Sequence, residues 1–400
     1  MHRFVVYALL SFLLFALGCA SPGGRPPKRV RPADEIRAVW VDSWGDGLYT
    51  EEQCNATVAW AWDHGFNTVI VEVRKVGDAY YKSLYEPRGI NAATGLPLAA
   101  DFDPLATLVA AVRARPGMRI EAWIVANRIW KGSPQPPPMT PAHIALTHPQ
   151  WLLLNQDEKP WEEGAETAVF IDPSDQGARN HVSDVAADIA EFYDVDAVHL
   201  DYIRYPANTW GYGTASLGRF RAETGRTDTP QPTDPEFTKW RADQVTKQVR
   251  EIRDRVKVVK PKCQLTASVV AWGAPSPNGY RDTKGYLGAC QDWPTWMAED
   301  LVDAIYVMHY KREHVVDQAR DYRMWFNEFR KFHDRSSPRL VIGVGCYMNE
   351  IDASMKQIAD GRTAGFDGVA VFSYRVTNSG TVDRAAFGEA LLRGPFRPEP

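Results

Sequence analysis

A strand that ends in a cluster of polar and aromatic side chains is the most informative stretch of this sequence. Val195–Pro206 reads VDAVHLDYIRYP, an apolar strand whose last residue, Asp201, is followed at once by Tyr202, Arg204 and Tyr205. The carboxyl ends of parallel strands are where α/β barrels carry their reactive groups. The arrangement therefore indicates the floor of a polar site. The alternative is that Asp201 caps the next turn and Arg204 merely pairs with it.

Few other carboxylates are expected at the same end of the strands. Asp42 lies near the end of the first predicted strand, Glu72 lies on the inner face of the second, and Asp78 follows just beyond. Glycoside hydrolysis normally needs two carboxyl groups, one to protonate the leaving oxygen and one to attack or to activate water. Asp201 and Glu72 are our candidate catalytic acids, with Asp78 in reserve. The alternative for Glu72 is a structural ion pair with Arg74 or another inward base.

The strand ends also supply candidates for binding a sugar. The chain has 14 Trp, 16 Tyr and 16 Phe, and aromatic rings suit the C–H faces of sugars, although Trp is also ordinary filling in a large barrel. The candidates for contacting sugar hydroxyls, stacking on rings or orienting the acids are Trp44, Arg74, Asn127, Tyr202, Arg204, Tyr205, Trp272, Tyr306, His309, Tyr310 and Tyr374.

Other chemistries find little support. His199 and Asp201 could share a metal, but no further His/Asp cluster accompanies them, and the cysteines form no CxxC pair. No Gly-x-Ser-x-Gly elbow is present. The sequence thus predicts neither a metal nor another cofactor. The formal net charge is −4 and no basic stripe with interleaved aromatics occurs, so nucleic acid is not an expected partner.

The elements that must position these groups repeat one pattern from Ile36 to the end: an apolar strand, a polar loop and an amphipathic helix. Eight such units argue for an α/β fold with a single (β/α)8 TIM barrel over residues 36–395. A doubly wound sheet would want a Gly-rich turn after the first strand, and Ser43–Gly47 lacks the spacing. The predicted strands are Arg37–Ser43, Thr68–Arg74, Arg119–Asn127, Ala197–Tyr202, Gln264–Trp272, Ala304–His309, Leu340–Tyr347 and Gly368–Tyr374.

Three strand-to-helix connections are long, those after strands 3, 4 and 5. They are Arg128–Gln176, Pro206–Pro235 and Gly273–Trp293. Long loops in compact domains are usually functional, and these three would all lie at the carboxyl mouth of the barrel.

Below that mouth, Glu121 on strand 3 and His199 on strand 4 both fall on inward phases. A buried glutamate needs a partner, so we expect a charge-assisted hydrogen bond between them. Its role would be structural rather than catalytic.

The N-terminus has the pattern of a targeting segment. Residues 1–18 combine a basic start with an apolar run too short to span a membrane. The run ends LFALGC, which resembles a bacterial lipobox with Cys19 as the lipidated residue, and residues 19–35 form a Pro-rich basic tether. This predicts an exported lipoprotein, anchored to a membrane through Cys19 and facing the periplasm. The alternative is ordinary cleavage near Ala20 and a free secreted product.

Several ordered motifs resemble the glycosyl hydrolase-like 10 family of bacterial envelope proteins. The segments are RAVWV from Arg37, FNTVIVEVR from Phe66, GDAYYKS from Gly77, Asp103-Pro-Leu, EAW from Glu121, HPQW from His148 and YDVDAVHLDYIRYP from Tyr193. The resemblance implies a (β/α)8 barrel that hydrolyses bacterial glycans, with peptidoglycan strands the substrate of one branch. The family often has a second aspartate where Tyr202 stands, and commonly Gln where Glu72 stands.

Together these observations predict a lipoprotein glycoside hydrolase of a bacterial envelope glycan, or of another polysaccharide. Two alternatives stay open: a non-catalytic glycan-binding lipoprotein that keeps the aromatic cleft, and a scaffold for envelope machinery whose cleft is incidental.

Overall fold

The computed structural model describes residues 35–162, 167–333 and 338–398, and they form the predicted closed barrel of eight parallel strands. Each strand pairs with the next along the chain, and the last pairs with the first. We number these strands β1 to β8. They are Ile36–Val41, Thr68–Arg74, Arg119–Val125, Ala197–Asp201, Gln264–Val270, Ala304–Met308, Arg339–Gly345 and Gly368–Phe372.

Helices surround the barrel, and several begin at a side chain that accepts from their first amides. Thr50, Asp103, Asp175 and Asp234 each accept from a backbone N–H of the following helix, which satisfies donors that the helix itself cannot. Helices α1 to α11 are Glu51–Asp63, Pro104–Arg113, Ile144–Thr147, Gln176–Phe192, Thr214–Thr224, Pro235–Val259, Lys284–Ala289, Trp293–Ala298, Val316–Phe332, Ile351–Thr363 and Arg384–Arg393. Single 3₁₀ turns cover Pro149–Trp151, Tyr280–Asp282 and Cys346–Met348.

Alternation along the strands separates two hydrophobic layers. On β4, Val198 and Leu200 belong to the large layer between strands and helices. Trp40, Trp123 and Tyr306 belong to the smaller cluster inside the barrel. The barrel interior is therefore a packed core, and the polar residues at its upper end form a floor rather than a pore.

The alternation fails at one position on β2. Glu72 pairs in register with Trp123 on β3, but Arg74 pairs with Ile124, so a bulge lies between them. An extra residue in a strand turns the following side chain to the other face. Arg74, predicted to face inward with Glu72, is consequently buried against Glu86.

The predicted contact between Glu121 and His199 is present, 3.4 Å apart between Oε2 and Nδ1. Thr266 bridges them, donating to Glu121 at 2.6 Å and lying 2.9 Å from His199 Nδ1. Burial acts to raise the pKa of Glu121, but its contacts with His199, Thr266 and Tyr306 outweigh burial and lower it. This network fixes the barrel floor beneath the mouth.

Four long connections, rather than the three predicted, cover the carboxyl mouth. The additional one links β2 to α2 and runs from Lys75 to Asp103. The connection after β3 folds partly into a two-stranded antiparallel ribbon, Arg128–Lys131 with Ala168–Phe170. Seven of the eight strands also end one or two residues before the predicted position.

The predicted signal peptide, Cys19 and nearly all of the tether lie outside the described residues. Within the described ranges, no helix combines the length and apolarity needed to cross a bilayer. The cysteines of the barrel, Cys54, Cys263, Cys290 and Cys346, are buried free thiols.

Candidate functional site

Three carboxyl groups lie at the carboxyl mouth of the barrel, at the ends of β1, β2 and β4. Asp42 directly follows β1, Glu72 lies near the end of β2, and Asp201 is the last residue of β4. All three side chains are buried. Strand β3 lies between β2 and β4. Glu72 pairs with Trp123 of β3, whereas Asp201 pairs with Val125, two residues further along the same strand. Asp201 therefore lies nearer the carboxyl mouth than Glu72 does.

Glu72 is held by neutral donors. The backbone N–H and the hydroxyl of Ser43 donate to its Oε2 at 2.8 and 2.9 Å. Burial and then the negative charge of Asp42 raise the pKa of Glu72 to about 7, although Arg128 and Lys75 act in the opposite direction. A carboxylic acid with that pKa can hold a proton near neutral pH and release it to a substrate.

Asp201 sits at a sharp turn. The N–H of Tyr202 donates to its Oδ1 at 2.7 Å, and Tyr202 itself adopts a left-handed backbone conformation with φ of 48°. Such a conformation is costly for a non-glycine residue and concentrates at functional sites. Burial raises the pKa of Asp201, and the charges of Arg204 and Arg128 oppose the rise. We expected the surrounding donors to dominate, and burial outweighs them.

A cavity of about 510 Å³ opens beside this turn. Its walls include Tyr202, Arg204, Trp272, Tyr310 and Tyr347, and its volume falls in the range of small-ligand sites. Trp272 is 36% exposed and its ring lies 5.0 Å from the Arg204 guanidinium carbon. The predicted residues Tyr202, Arg204, Trp272 and Tyr310 thus come together here.

Lys311, which was not among the predicted site residues, also borders this cavity. Burial lowers the pKa of Lys311 to about 8, and its Nζ donates to the carbonyl of Ala271 at 2.7 Å. Its position two residues after the predicted strand Ala304–His309 could have indicated this, because charged residues that follow a buried strand closely are expected at the mouth.

Trp44 donates its backbone N–H to Asp42 Oδ1 at 3.1 Å and is 37% exposed. Its ring is approached by Lys75 Nζ at 4.6 Å, Lys131 Nζ at 5.5 Å and the Arg128 guanidinium carbon at 5.9 Å. None of these cations was predicted as a site residue. Lys75 directly follows β2 and could have been found, but Arg128 and Lys131 depend on the fold of the ribbon.

Three predicted site residues make structural contacts and do not line the cavity. Arg74 is fully buried, with its Nη2 2.6 Å from Glu86 Oε1. Asp78 accepts from the backbone amides of Lys75 and Val76, which shapes the turn after β2. The third, Asn127, accepts from Gln248 of α6 at 2.8 Å and is also fully buried.

Four predicted residues point away from the cavity. Tyr306 donates to Glu121 in the barrel floor at 2.6 Å. His309 and Tyr374 lie on the helix side of their strands, where His309 stacks on Tyr322 and Tyr374 packs against Trp60. Tyr205 is fully buried next to Arg241.

Within the described residues, no group of three or more His, Cys, Asp or Glu side chains is arranged to hold a metal ion. The described side chains that meet at the mouth are carboxyl groups, cations and aromatic rings.

Residues 35–358 match the family described as glycosyl hydrolase-like 10. The chain belongs to this family. A curated relative is a Bacillus subtilis (strain 168) protein named glycosyl hydrolase YngK, which is 25% identical over 287 residues, 68% of this chain and 53% of the relative. The chain thus spans about half the length of that relative.

Solved structures show the same barrel architecture at low sequence identity. The glycoside hydrolase domain of PgaB (BpsB) from Bordetella bronchiseptica has a TM-score of 0.62 at 14% identity, covering 84% of this chain and 94% of that domain. The catalytic domain of a β-amylase from Paenibacillus polymyxa has a TM-score of 0.62 at 13% identity, covering 91% and 99%. These likenesses establish the fold of this glycosyl hydrolase-like 10 member.

Proposed function

We propose that this protein is a glycoside hydrolase in which Glu72 and Asp201 carry the reaction. The observation that carries the proposal is that two buried carboxyl groups lie at the barrel mouth, and that Asp201 immediately precedes Tyr202, which lines the cavity together with Trp272 and Tyr310. Family membership and the hydrolase name of the relative support the same reaction class.

The roles follow from the environments of the two acids. Glu72, with a pKa of about 7, donates its proton to the glycosidic oxygen as the bond to the anomeric carbon breaks. Asp201 acts as the carboxylate: burial raises its pKa, and the N–H of Tyr202 and the charges of Arg204 and Arg128 oppose that rise. It either attacks the anomeric carbon or takes a proton from the attacking water, and in both cases water supplies the new hydroxyl group.

If the sugar carries an N-acetyl group, the substrate itself can supply the nucleophile. The amide oxygen then attacks the anomeric carbon, and a carboxylate needs only to orient and stabilise the amide. Asp201 occupies the strand end from which such support could come. This variant keeps Glu72 as the proton donor.

We place the substrate in the bacterial envelope, as a peptidoglycan-type glycan strand, or among other polysaccharides. The support is the lipobox-like N-terminus with Cys19, which would hold the enzyme at a membrane on its periplasmic side. An enzyme tethered there meets envelope glycans before any other polymer.

Zymography tests the proposal directly. The full-length protein is run on separate gels that contain purified sacculi, chitin, xylan, starch or cellulose. Soluble products released from each substrate are identified by mass spectrometry. We expect clearing of at least one gel and products with new reducing ends. Tight binding to a gel without any product would instead indicate the glycan-binding alternative, and the hydrolase proposal would fail.

A further inference from the structure

Arg128 is a buried cation for which the described residues provide no hydrogen-bond acceptor. Its side chain is only 6% exposed, and its Nε is buried without a hydrogen-bond partner. Within the described ranges, its guanidinium also has no carboxylate within 4 Å. A guanidinium has five N–H donors and never loses its charge in a protein. Burying such a group without an acceptor is costly, so the site is suited to a partner that the described residues do not supply.

The surroundings show which part of the mouth Arg128 serves. Its guanidinium carbon lies 3.9 Å from the ring centroid of Tyr202, next to Asp201. Burial has the largest effect on the pKa of Glu72 and raises it, and the positive charge of Arg128 acts in the opposite direction. Arg128 is thus close to both proposed catalytic acids and yet pairs with neither.

Two further cations converge on the same place. Lys75 and Lys131 approach the half-exposed ring of Trp44 at 4.6 and 5.5 Å, and Arg128 approaches it at 5.9 Å. Among the described residues, neither lysine has a carboxylate within 4 Å. An exposed indole offers a face for a sugar ring, and the surrounding cations would recognise a negative substituent on that ring.

We propose that Arg128, with Lys75 and Lys131, forms an anion subsite that takes an oxyanion substituent of the glycan while the sugar ring stacks on Trp44. This inference rests on the proposed function and adds that the substrate is an acidic glycan. A carboxylate or a sulfate matches the forked donors of an arginine, which bind two oxygens at once. Both the uronate or lactyl carboxylate and the sulfate ester have this chemistry.

Matched pairs of glycans that differ only in charge test the subsite. The pairs are hyaluronan and its methyl ester, chitin oligosaccharides with and without 6-O-sulfate, and peptide-free peptidoglycan strands before and after conversion of their lactyl carboxylates to methyl amides. Binding is measured by affinity electrophoresis and calorimetry in the Asp201→Asn background, so that cleavage does not interfere.

We expect the charged member of at least one pair to bind about 10- to 100-fold more tightly than its neutral partner, as charge-assisted hydrogen bonds imply. Arg128→Gln should remove that preference. The control Arg253→Gln changes the net charge equally at an exposed pair with Asp254, and it should keep the preference. The pair that responds identifies the chemical source of the anion.

Lys131→Gln provides a second variant that cannot disturb the core, because Lys131 is exposed. It should weaken the charged ligand by about two- to fivefold, the size expected of an ion pair at the rim. Equal binding within every pair, or an unchanged preference in Arg128→Gln, would overturn the subsite. If the wild type still cleaves a neutral glycan, the hydrolase proposal survives that result. Failure to bind or cleave any glycan removes both.

Discussion

The guanidinium of Arg74 is paired with the carboxylate of Glu86, with Nη2 and Oε1 2.6 Å apart and both side chains fully buried. This pairing leaves Glu72 to the amide and hydroxyl of Ser43. Because neutral donors stabilise a carboxylate less than a cation does, burial dominates and Glu72 keeps a raised pKa. The bulge in β2 therefore separates a structural ion pair from a candidate proton donor only two residues away.

Removing the partner of Arg74 should destabilise the fold severely. In Glu86→Leu the buried guanidinium loses its counter-charge, and we expect a loss of about 3–5 kcal/mol in the free energy of unfolding. Urea denaturation measures it. The control Asp243→Leu breaks an exposed pair with Lys239 on α6 and should cost less than about 1 kcal/mol. Similar losses for both variants would show that the Arg74–Glu86 pair contributes no more to the free energy of unfolding than an exposed ion pair does.

The raised pKa of Glu72 has a consequence for stability that needs no substrate. The folded pKa of about 7 lies above the ordinary value of 4.5, so the native state prefers the protonated acid. Stability from this group is complete below pH 4.5 and is lost as the pH rises to 7. Glu72→Gln removes the titration. Its free energy of unfolding relative to wild type should therefore rise by up to about 3 kcal/mol between pH 4 and 8. A difference that stays constant with pH would contradict the shift.

Activity should decline on the alkaline side through the same group. The proposed acid must be protonated, so the rate falls as the pH rises through about 7. Asp42→Asn removes a charge that raises the pKa of Glu72, and it should move this limb to lower pH. Asp46→Asn, an exposed neighbour, is the matched control and should leave the limb in place. Glu72→Gln should lose less activity on substrates with good leaving groups, which need little protonation.

The alternation of side chains along a single strand predicted which residues of that strand face the helices and which face the barrel interior. Val198 and Leu200 face the helices while His199 and Asp201 face the barrel interior, as the alternation of β4 requires. The same rule misplaced Arg74, because the bulge depends on the register between β2 and β3, which no single strand contains.

The conformation of the long loops, and therefore the position of their side chains at the mouth, could not be predicted from the sequence. Arg128 lies in the long connection after β3, and nothing local in the sequence indicates that this connection folds back on itself as a two-stranded ribbon. His309 was a different case. It follows the inward-facing Met308, so its phase already pointed it toward the helix layer where the structure places it.

Lipidation at Cys19 would place the enzyme at a membrane. Cys19→Ala should release the protein into the soluble fraction, because the Pro-rich tether of residues 19–35 has no apolar segment of its own. Fractionation with blotting measures it, and Ala20→Ser serves as a neighbouring control that keeps the thiol. Wild-type protein found wholly in the soluble fraction would end the lipoprotein proposal.

Asp201→Asn is the sharpest test of the mechanism. The amide nearly matches the carboxylate in shape and can still accept from the N–H of Tyr202, so fold and glycan binding should persist. It cannot act as a nucleophile or base, and we expect the rate of cleavage to fall by about 10²- to 10⁴-fold. Asp254→Asn, an exposed change on α6, controls for the loss of a charge, and calorimetric binding to the same glycan controls for the fold. Full activity of Asp201→Asn on a glycan that the wild type cleaves would exclude the proposed role. A loss of binding in parallel with the loss of rate would instead assign Asp201 to holding the substrate.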